Sequence, residues 1–253
     1  MKAVILVAGL GSRLRPYTNE LPKALVPLNG RPLLEYQLST LRRCGVSNIS
    51  LVTGYIPEAF NSYGLSHFHN DQYASSNMVY SLMQARSLFD GQEDLLICYG
   101  DIVYDHKVLD NVINSPGSLV VSADLDWLSL WQLRMDNPYS DAESFIMERG
   151  SQRICSLGQK IQAKEDAQAQ YIGLLKVSAE FQSRWLEAYD NMPSPKARNL
   201  YMTDFIQNLI DEKHEVTAAL HHGGWLEVDS VQDKQRYENT KSVVKLLNKL
   251  VPA

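Results

Sequence analysis

Residues 3–23 read Ala3-Val4-Ile5-Leu6-Val7-Ala8-Gly9-Leu10-Gly11-Ser12-Arg13-Leu14-Arg15-Pro16-Tyr17-Thr18-Asn19-Glu20-Leu21-Pro22-Lys23. Ala3 to Val7 is continuously apolar, the pattern of a strand buried on both faces of a parallel sheet. A Gly-rich turn after such a strand exposes backbone N–H groups. With the N-terminus of a following helix, these make a cradle for phosphate oxygens. Gly9 and Gly11 let the backbone approach a ligand closely and take up φ > 0. Arg13 and Lys23 add two kinds of positive charge. Arg is a planar fork that grips two oxygens, and Lys is a mobile point charge. Pro16 and Pro22 stiffen the segment that carries Lys23. Rival Gly-rich motifs fit badly. The dinucleotide fingerprint needs a third Gly where Leu14 stands. The P-loop needs a Gly-Lys-Ser/Thr that is absent.

Further along, apolar strands alternate with amphipathic helices. Pro32–Cys44 carries a helical apolar face and stops at Gly45. Ile49–Thr53 reads as a strand, Pro57–Tyr63 as a short helix and His67–Asn70 as a third strand. Asn77–Phe89 reads as a helix, and Leu95–Tyr99 as a strand ending in Gly100-Asp101. Such βα repeats predict an α/β, doubly wound, mostly parallel sheet. Ligands bind that architecture at the carboxyl ends of its strands. The second half is more mixed. Leu119–Ala123 continues the sheet, and 126–160 reads as antiparallel strands and loops. Ile172–Val177 is a strand. Glu180–Tyr189, Thr203–Lys213 and Lys234–Leu250 read as helices. One domain over 1–253 is expected, in two halves over about 1–125 and about 126–253.

The 253 residues are 45% hydrophobic, enough for a large α/β core. The net charge is −5, from 24 basic and 29 acidic residues. A nucleic-acid surface usually shows a basic excess, so the phosphate-bearing ligand expected is a free small molecule. Cys44, Cys98 and Cys155 show no paired spacing and read as buried free thiols in a reducing cytosol. The start of the chain has no basic region followed by an apolar signal core. No apolar run reaches the roughly 18 residues of a membrane span. The expectation is a cytoplasmic protein with no membrane partner.

Gly9, Gly11, Ser12, Arg13, Leu14, Pro16, Thr18, Pro22 and Lys23 together resemble the signature of the nucleotidyltransferase family. These enzymes make sugar nucleotides and CDP-activated alcohols. The family pattern is Gly-x-Gly-Ser/Thr-Arg-Leu/Met-x-Pro, then Thr or Ser, then Pro-Lys. The resemblance implies a Rossmann-like sheet of the nucleotide-diphospho-sugar transferase type, with a small mixed acceptor-binding region. It implies that Val7, Ala8, Gly9, Gly11, Ser12, Arg13, Lys23, Ser76, Asn77 and Gly100 bind nucleotide, and that Arg13 and Lys23 are catalytic.

A carboxylate at the end of a buried strand suits Mg²⁺, which takes hard oxygen ligands. Asp101 stands there, and Tyr99-Gly100-Asp101 resembles the family's metal-binding Gly-Asp. In Trp225–Asp233, Glu227 and Asp229 fall on one face if that stretch is a strand. The resemblance to the Glu-x-Asp-Ser-x-x-Asp of phosphocholine cytidylyltransferases singles out Asp229 as the second metal ligand. Asp233 reads as an N-cap or exposed residue of the last helix. No Ser-His-Asp or Cys-His set stands out. None is needed, because a phosphate acceptor with a second pKa of about 6 is already largely dianionic at neutral pH. Positioning and charge neutralisation dominate such transfers. His221 and His222, beside Gly223-Gly224, read as a solvated turn.

Gly158-Gln159-Lys160 resembles the Glu-Lys-Pro of sugar-1-phosphate enzymes. That would place Lys160 on the acceptor phosphate, as a third catalytic cation. The missing Glu and Pro argue against a sugar. Asn77 and Tyr80-Ser81-Leu82 resemble the Asn-x-x-Ser-Leu of the phosphocholine enzymes. Trp127, Trp131, Trp225 and Tyr201 suggest an aromatic wall, with Asp124, Asp126, Asp136 and Glu143 nearby in sequence. Such faces hold a quaternary ammonium. The alternative for these aromatics is a core or a homodimer interface. Arg134 suits an acceptor carboxylate instead. The acceptor set expected is Tyr80, Trp131, Arg134, Tyr201 and Glu227. The activity implied is an Mg²⁺-dependent transfer of CMP from CTP to a small phosphate or phosphonate, releasing pyrophosphate. Phosphocholine leads the acceptors, before 2-aminoethylphosphonate, phosphoglutamine and sugar-1-phosphates. A non-catalytic nucleotide sensor on the same fold is the rival from another class. Such relatives typically lose an Arg, Lys or metal Asp that stands here as Arg13, Lys23, Asp101 and Asp229.

Overall fold

The computed structural model describes residues 1–250. Its centre is β1 (Lys2–Leu6), which pairs in parallel with β2 (Asn48–Thr53) on one side. β3 (Ser66–His69) continues outward from β2. On the other side β1 pairs in parallel with β4 (Leu95–Tyr99). After β4 come β5 (Ile102–Tyr104), β6 (Leu119–Asp124), β7 (Glu143–Met147), β8 (Ile154–Lys160), β9 (Gln170–Val177), β10 (Thr217–His221) and β11 (Trp225–Glu227). The central sheet has seven strands, in the order β10-β6-β9-β4-β1-β2-β3. β9 runs antiparallel between β4 and β6, and the other neighbours are parallel. β7 and β8 form a separate antiparallel pair, as do β5 and β11.

The strand period of two sends alternate β1 residues into opposite layers. Ala3 and Ile5 pack with α1 (Leu33–Arg43), while Val4 packs with α2 (Met78–Gln84). α3 (His106–Asn114) lies in the first layer. The 126–160 segment, read from sequence as strands and loops, opens on α4 (Trp127–Arg134). The exposed face of α4 is only Ser129 and Gln132, and the charged Arg134 shares the buried face with Trp127 and Trp131, so the sequence shows no clean apolar stripe. α5 (Gln182–Asp190) and α7 (Met202–Asp211) cover the second layer, and the short α6 (Ser194–Arg198) lies between them in sequence. The C-terminal helix is two: α8 (Val231–Glu238) and α9 (Lys241–Leu250), parted at Asn239-Thr240. Both side chains there bond to carbonyls of the preceding turn, a local alternative to continuing the helix.

The thiols differ from the buried set expected: Cys98 is buried, Cys44 half-buried and Cys155 exposed. Among the described residues no helix is long and apolar enough to cross a membrane.

Candidate active site

β1 and β4 end level with each other, with Leu6 opposite Tyr99. The Gly100 N–H then donates to the Leu6 carbonyl at 3.0 Å, which holds Gly100-Asp101 beside the loop leaving β1. That loop is not followed directly by an α-helix. It folds into 3₁₀ turns over Ser12–Leu14, Tyr17–Asn19 and Lys23–Leu25. Gly11 enters the first with φ +58°, and a Cβ there would lie 2.8 Å from Lys23 Cβ, so glycine is what lets the loop fold back on the lysine. The Thr18 hydroxyl donates to the Gly11 carbonyl and locks this turn.

Asp229 comes from far along the chain. β11 pairs with β5, and the Val228 N–H donates to the Asp101 carbonyl at 2.9 Å. That pairing sets Asp229 beside Asp101. Glu227 ends the strand and Asp229 lies beyond it, so the shared strand face expected for the two does not exist. Lys23 Nζ donates to Asp101 Oδ2 at 2.7 Å and to Asp229 Oδ1 at 2.6 Å. Arg13 pairs with Asp229 Oδ2. Asp101 Oδ1 is buried and has no hydrogen-bond partner.

The field here favours charged forms. Burial opposes the Lys23 ammonium, but Asp101, Asp229 and Glu227 together raise its pKa well above the ordinary lysine value. Burial likewise opposes the Asp229 carboxylate, but Lys23 and Arg13 hold it below the usual range. Glu227 goes the other way: burial raises its pKa against the pull of Arg134.

Val7, Ala8, Gly9, Gly11, Ser12, Arg13, Lys23, Ser76, Asn77 and Gly100 line one cleft of about 280 Å³, together with Asp101 and Asp229. A second cleft, of about 430 Å³, is lined by Trp131, Tyr201, Trp225, Asp141, Glu143 and Glu227 among others. Arg13, Tyr99 and Asp229 line both, so the two clefts meet at the lysine–aspartate cluster. In the second cleft, desolvation, Asp141, Asp204 and Glu227 push the Glu143 carboxyl up to about 7. Trp131 Nε1 is buried there without a partner.

Several expected positions lie elsewhere. Arg134 is buried behind the second cleft and does not line it. Its fork holds Glu227 at 2.5 Å and Asp233 at 3.2 Å, and it lies over the Trp131 ring. Its charge is already satisfied, which takes it off the acceptor wall. Asp233 is buried at the start of α8, where it accepts from the Asp229 and Ser230 N–H groups as well as from Arg134. Tyr80 and Lys160 line neither cleft, and Lys160 is exposed at the end of β8. Trp127 packs edge-on against Trp131 in the core. Asp124 is buried under Trp225 and Gly223, Asp126 pairs with His222, and Asp136 is exposed. His221 is half-buried rather than solvated, and contacts the Gly223 carbonyl.

Comparison with known proteins bears on the fold and the family. Residues 3–127 match the model of the MobA-like NTP transferase domain. Over 248 residues the chain is 34% identical to a Campylobacter jejuni protein named CTP:phosphoglutamine cytidylyltransferase, covering 92% of this chain and 97% of that one. The chain belongs to the nucleotidyltransferase family. It is also 34% identical over 163 residues to the choline-phosphate cytidylyltransferase of Streptococcus pneumoniae, 50% of this chain and 70% of that protein. The solved structure of a CTP:phosphocholine cytidylyltransferase from Streptococcus pneumoniae superposes with a TM-score of 0.70 at 25% identity, covering 94% of this chain and 97% of that one.

Tyr171, Gly173 and Thr203 also line the second cleft of this nucleotidyltransferase, and sequence reading gave them no role. Gly173 has φ +81°, and a Cβ there would come within 2.5 Å of the Tyr99 ring. Only glycine lets β9 come this close to the Tyr99 ring at the end of β4. The available signal was a glycine inside an apolar strand, which marks a bulge or a close backbone approach. A register shift in the β9–β6 ladder falls at this point.

Proposed function

We propose that this nucleotidyltransferase transfers CMP from CTP to a small phosphorylated amine. An acceptor phosphate oxygen attacks the α-phosphorus, a new P–O–P bond forms, and pyrophosphate leaves. The observation that carries this reading is Lys23 bridging Asp101 and Asp229 at the junction of the two clefts. A nucleotide in the first cleft and a phosphate in the second would meet there. Arg13 and Lys23 supply positive charge where it builds on the transferring group. Asp101 and Asp229 fit a magnesium ion: both are hard oxygen donors, both reach one point, and Asp101 Oδ1 has no other partner. Bound there, the metal would neutralise phosphate charge.

The second cleft supports an ammonium-bearing acceptor. Asp141, Glu143, Glu227 and Asp229 line it with Tyr201, Trp131 and Trp225, and Arg13 is its one basic residue. Carboxylates and aromatic faces favour a cation. Cytidine as the base is supported by the names of the relatives above. Phosphocholine is therefore one acceptor to expect. A phosphorylated amino acid is the second, favoured by the match to the phosphoglutamine enzyme along nearly its whole length. Pyrophosphate release measured for four NTPs crossed with phosphocholine, phosphoglutamine, 2-aminoethylphosphonate and a sugar-1-phosphate tests this. Release with CTP and an amine-bearing acceptor is expected. Release only with the sugar, or only with another NTP, rules the reading out.

A further inference from the structure

We propose that Lys23 is a latch on the cation site: until nucleotide arrives, its ammonium occupies the place between Asp101 and Asp229 that a divalent ion needs. This rests on the metal reading above. The two carboxylates offer four oxygens. Lys23 takes Asp101 Oδ2 and Asp229 Oδ1, Arg13 takes Asp229 Oδ2, and Asp101 Oδ1 alone is without a partner. Two anions therefore face two cations, and the cluster is neutral. A divalent ion entering alone would have to displace an ammonium bonded to both carboxylates, or sit beside it in a poorly screened site.

A triphosphate changes that balance. It brings several negative charges into the cleft that Lys23 and Arg13 already line. A lysine head on a flexible four-carbon stem and an arginine fork are both suited to phosphate oxygens. Once they turn to the phosphates, the carboxylates are free. Only side chains need to move, because Ala24 and Leu25 of the same 3₁₀ turn are buried and hold the backbone. Metal and nucleotide then strengthen each other's binding reciprocally.

The test reads Mn²⁺ binding alone, without nucleotide, by electron paramagnetic resonance. Wild type, Asp101→Asn, Lys23→Gln, Arg13→Gln and the double variants Lys23→Gln/Asp101→Asn and Arg13→Gln/Asp101→Asn are titrated. Lys23→Gln is expected to bind Mn²⁺ at least about tenfold more tightly than wild type, because a competing charge in direct contact is gone. The Lys23→Gln/Asp101→Asn variant should lose that gain. Arg13→Gln changes a side chain that is 71% exposed, so the fold tolerates it, and it should give a smaller gain in the same direction. It decides the matter if Lys23→Gln does not fold. Unchanged or weaker Mn²⁺ binding in Lys23→Gln, or in Arg13→Gln where that variant must decide, overturns the latch. Tight binding by wild type through Asp101 overturns the latch and leaves the metal reading standing. Mn²⁺ binding insensitive to Asp101→Asn in every variant overturns both.

Discussion

Lys23 meets two carboxylates, and its loss removes the cation that bridges them in the first cleft. Lys23→Ala is expected to lower kcat at least about a hundredfold, the scale of losing one transition-state donor. Steady-state kinetics check it, and a loss under about threefold would take Lys23 out of the catalytic set. Asp101→Asn and Asp229→Asn should each abolish turnover with an unchanged circular dichroism spectrum, and EDTA should do the same to wild type. Glu143 gives a pH signature. With its carboxyl pushed up to about 7, it is mostly neutral at pH 6 and mostly charged at pH 8. Only the charged form attracts an ammonium, so KM for an amine-bearing acceptor should fall as pH rises through 7. The acceptor phosphate titrates as well, but equally for every variant. Glu143→Gln should therefore flatten the profile only by the part that belongs to Glu143.

At the scale of elements, α4 and α8 are tied together through one buried arginine. Arg134 on α4 holds Glu227 at the end of β11 and Asp233 in the first turn of α8. Asp233 in turn accepts from the backbone of Asp229. Asp229 is thus held from behind by a chain of hydrogen bonds that runs back to Arg134. Removing one partner of a buried pair leaves the other uncompensated, a loss of about 3–5 kcal/mol. Arg134→Ala should lower the midpoint of thermal unfolding by several degrees, read by calorimetry. It should slow turnover with phosphocholine and with a phosphorylated amino acid alike. A selective loss for the amino acid would return Arg134 to the acceptor wall.

At the scale of the molecule, the two clefts are built from largely different parts of the chain and share only Arg13, Met78, Tyr99 and Asp229. Changes far from that junction should therefore affect one substrate and not the other. Tyr201 is 58% exposed and lines only the second cleft, which makes it a cleaner probe than Trp131, a core residue. Losing a cation–π contact of about 0.5–2 kcal/mol in Tyr201→Ala should raise KM for phosphocholine roughly two- to thirtyfold. KM for CTP should stay within about twofold, because Tyr201 does not line the first cleft; a parallel rise in both would show that the clefts are not separable.

How much of this was legible follows from range. The strand Lys2–Leu6, the glycine turn, Lys23 and Gly100-Asp101 were readable because their chemistry is local. Apolar runs, glycine at positive φ and proline stiffness act between near neighbours, and those neighbours are printed side by side. The mostly parallel sheet followed from the same local periods. The family resemblance had already set Asp229 with Asp101; what only the tertiary structure decided is the route by which they meet and which charges are already taken. Asp229 reaches Asp101 through the β5–β11 pairing, across more than half the chain. Arg134 was free for a substrate carboxylate until folding placed it against Glu227 and Asp233. Helix α4 carried no clean stripe to read, because the charged Arg134 lies on its buried face beside Trp127 and Trp131. A side chain's charge is written in the sequence; whether that charge is available depends on what long-range packing sets beside it in a site with little water to screen it.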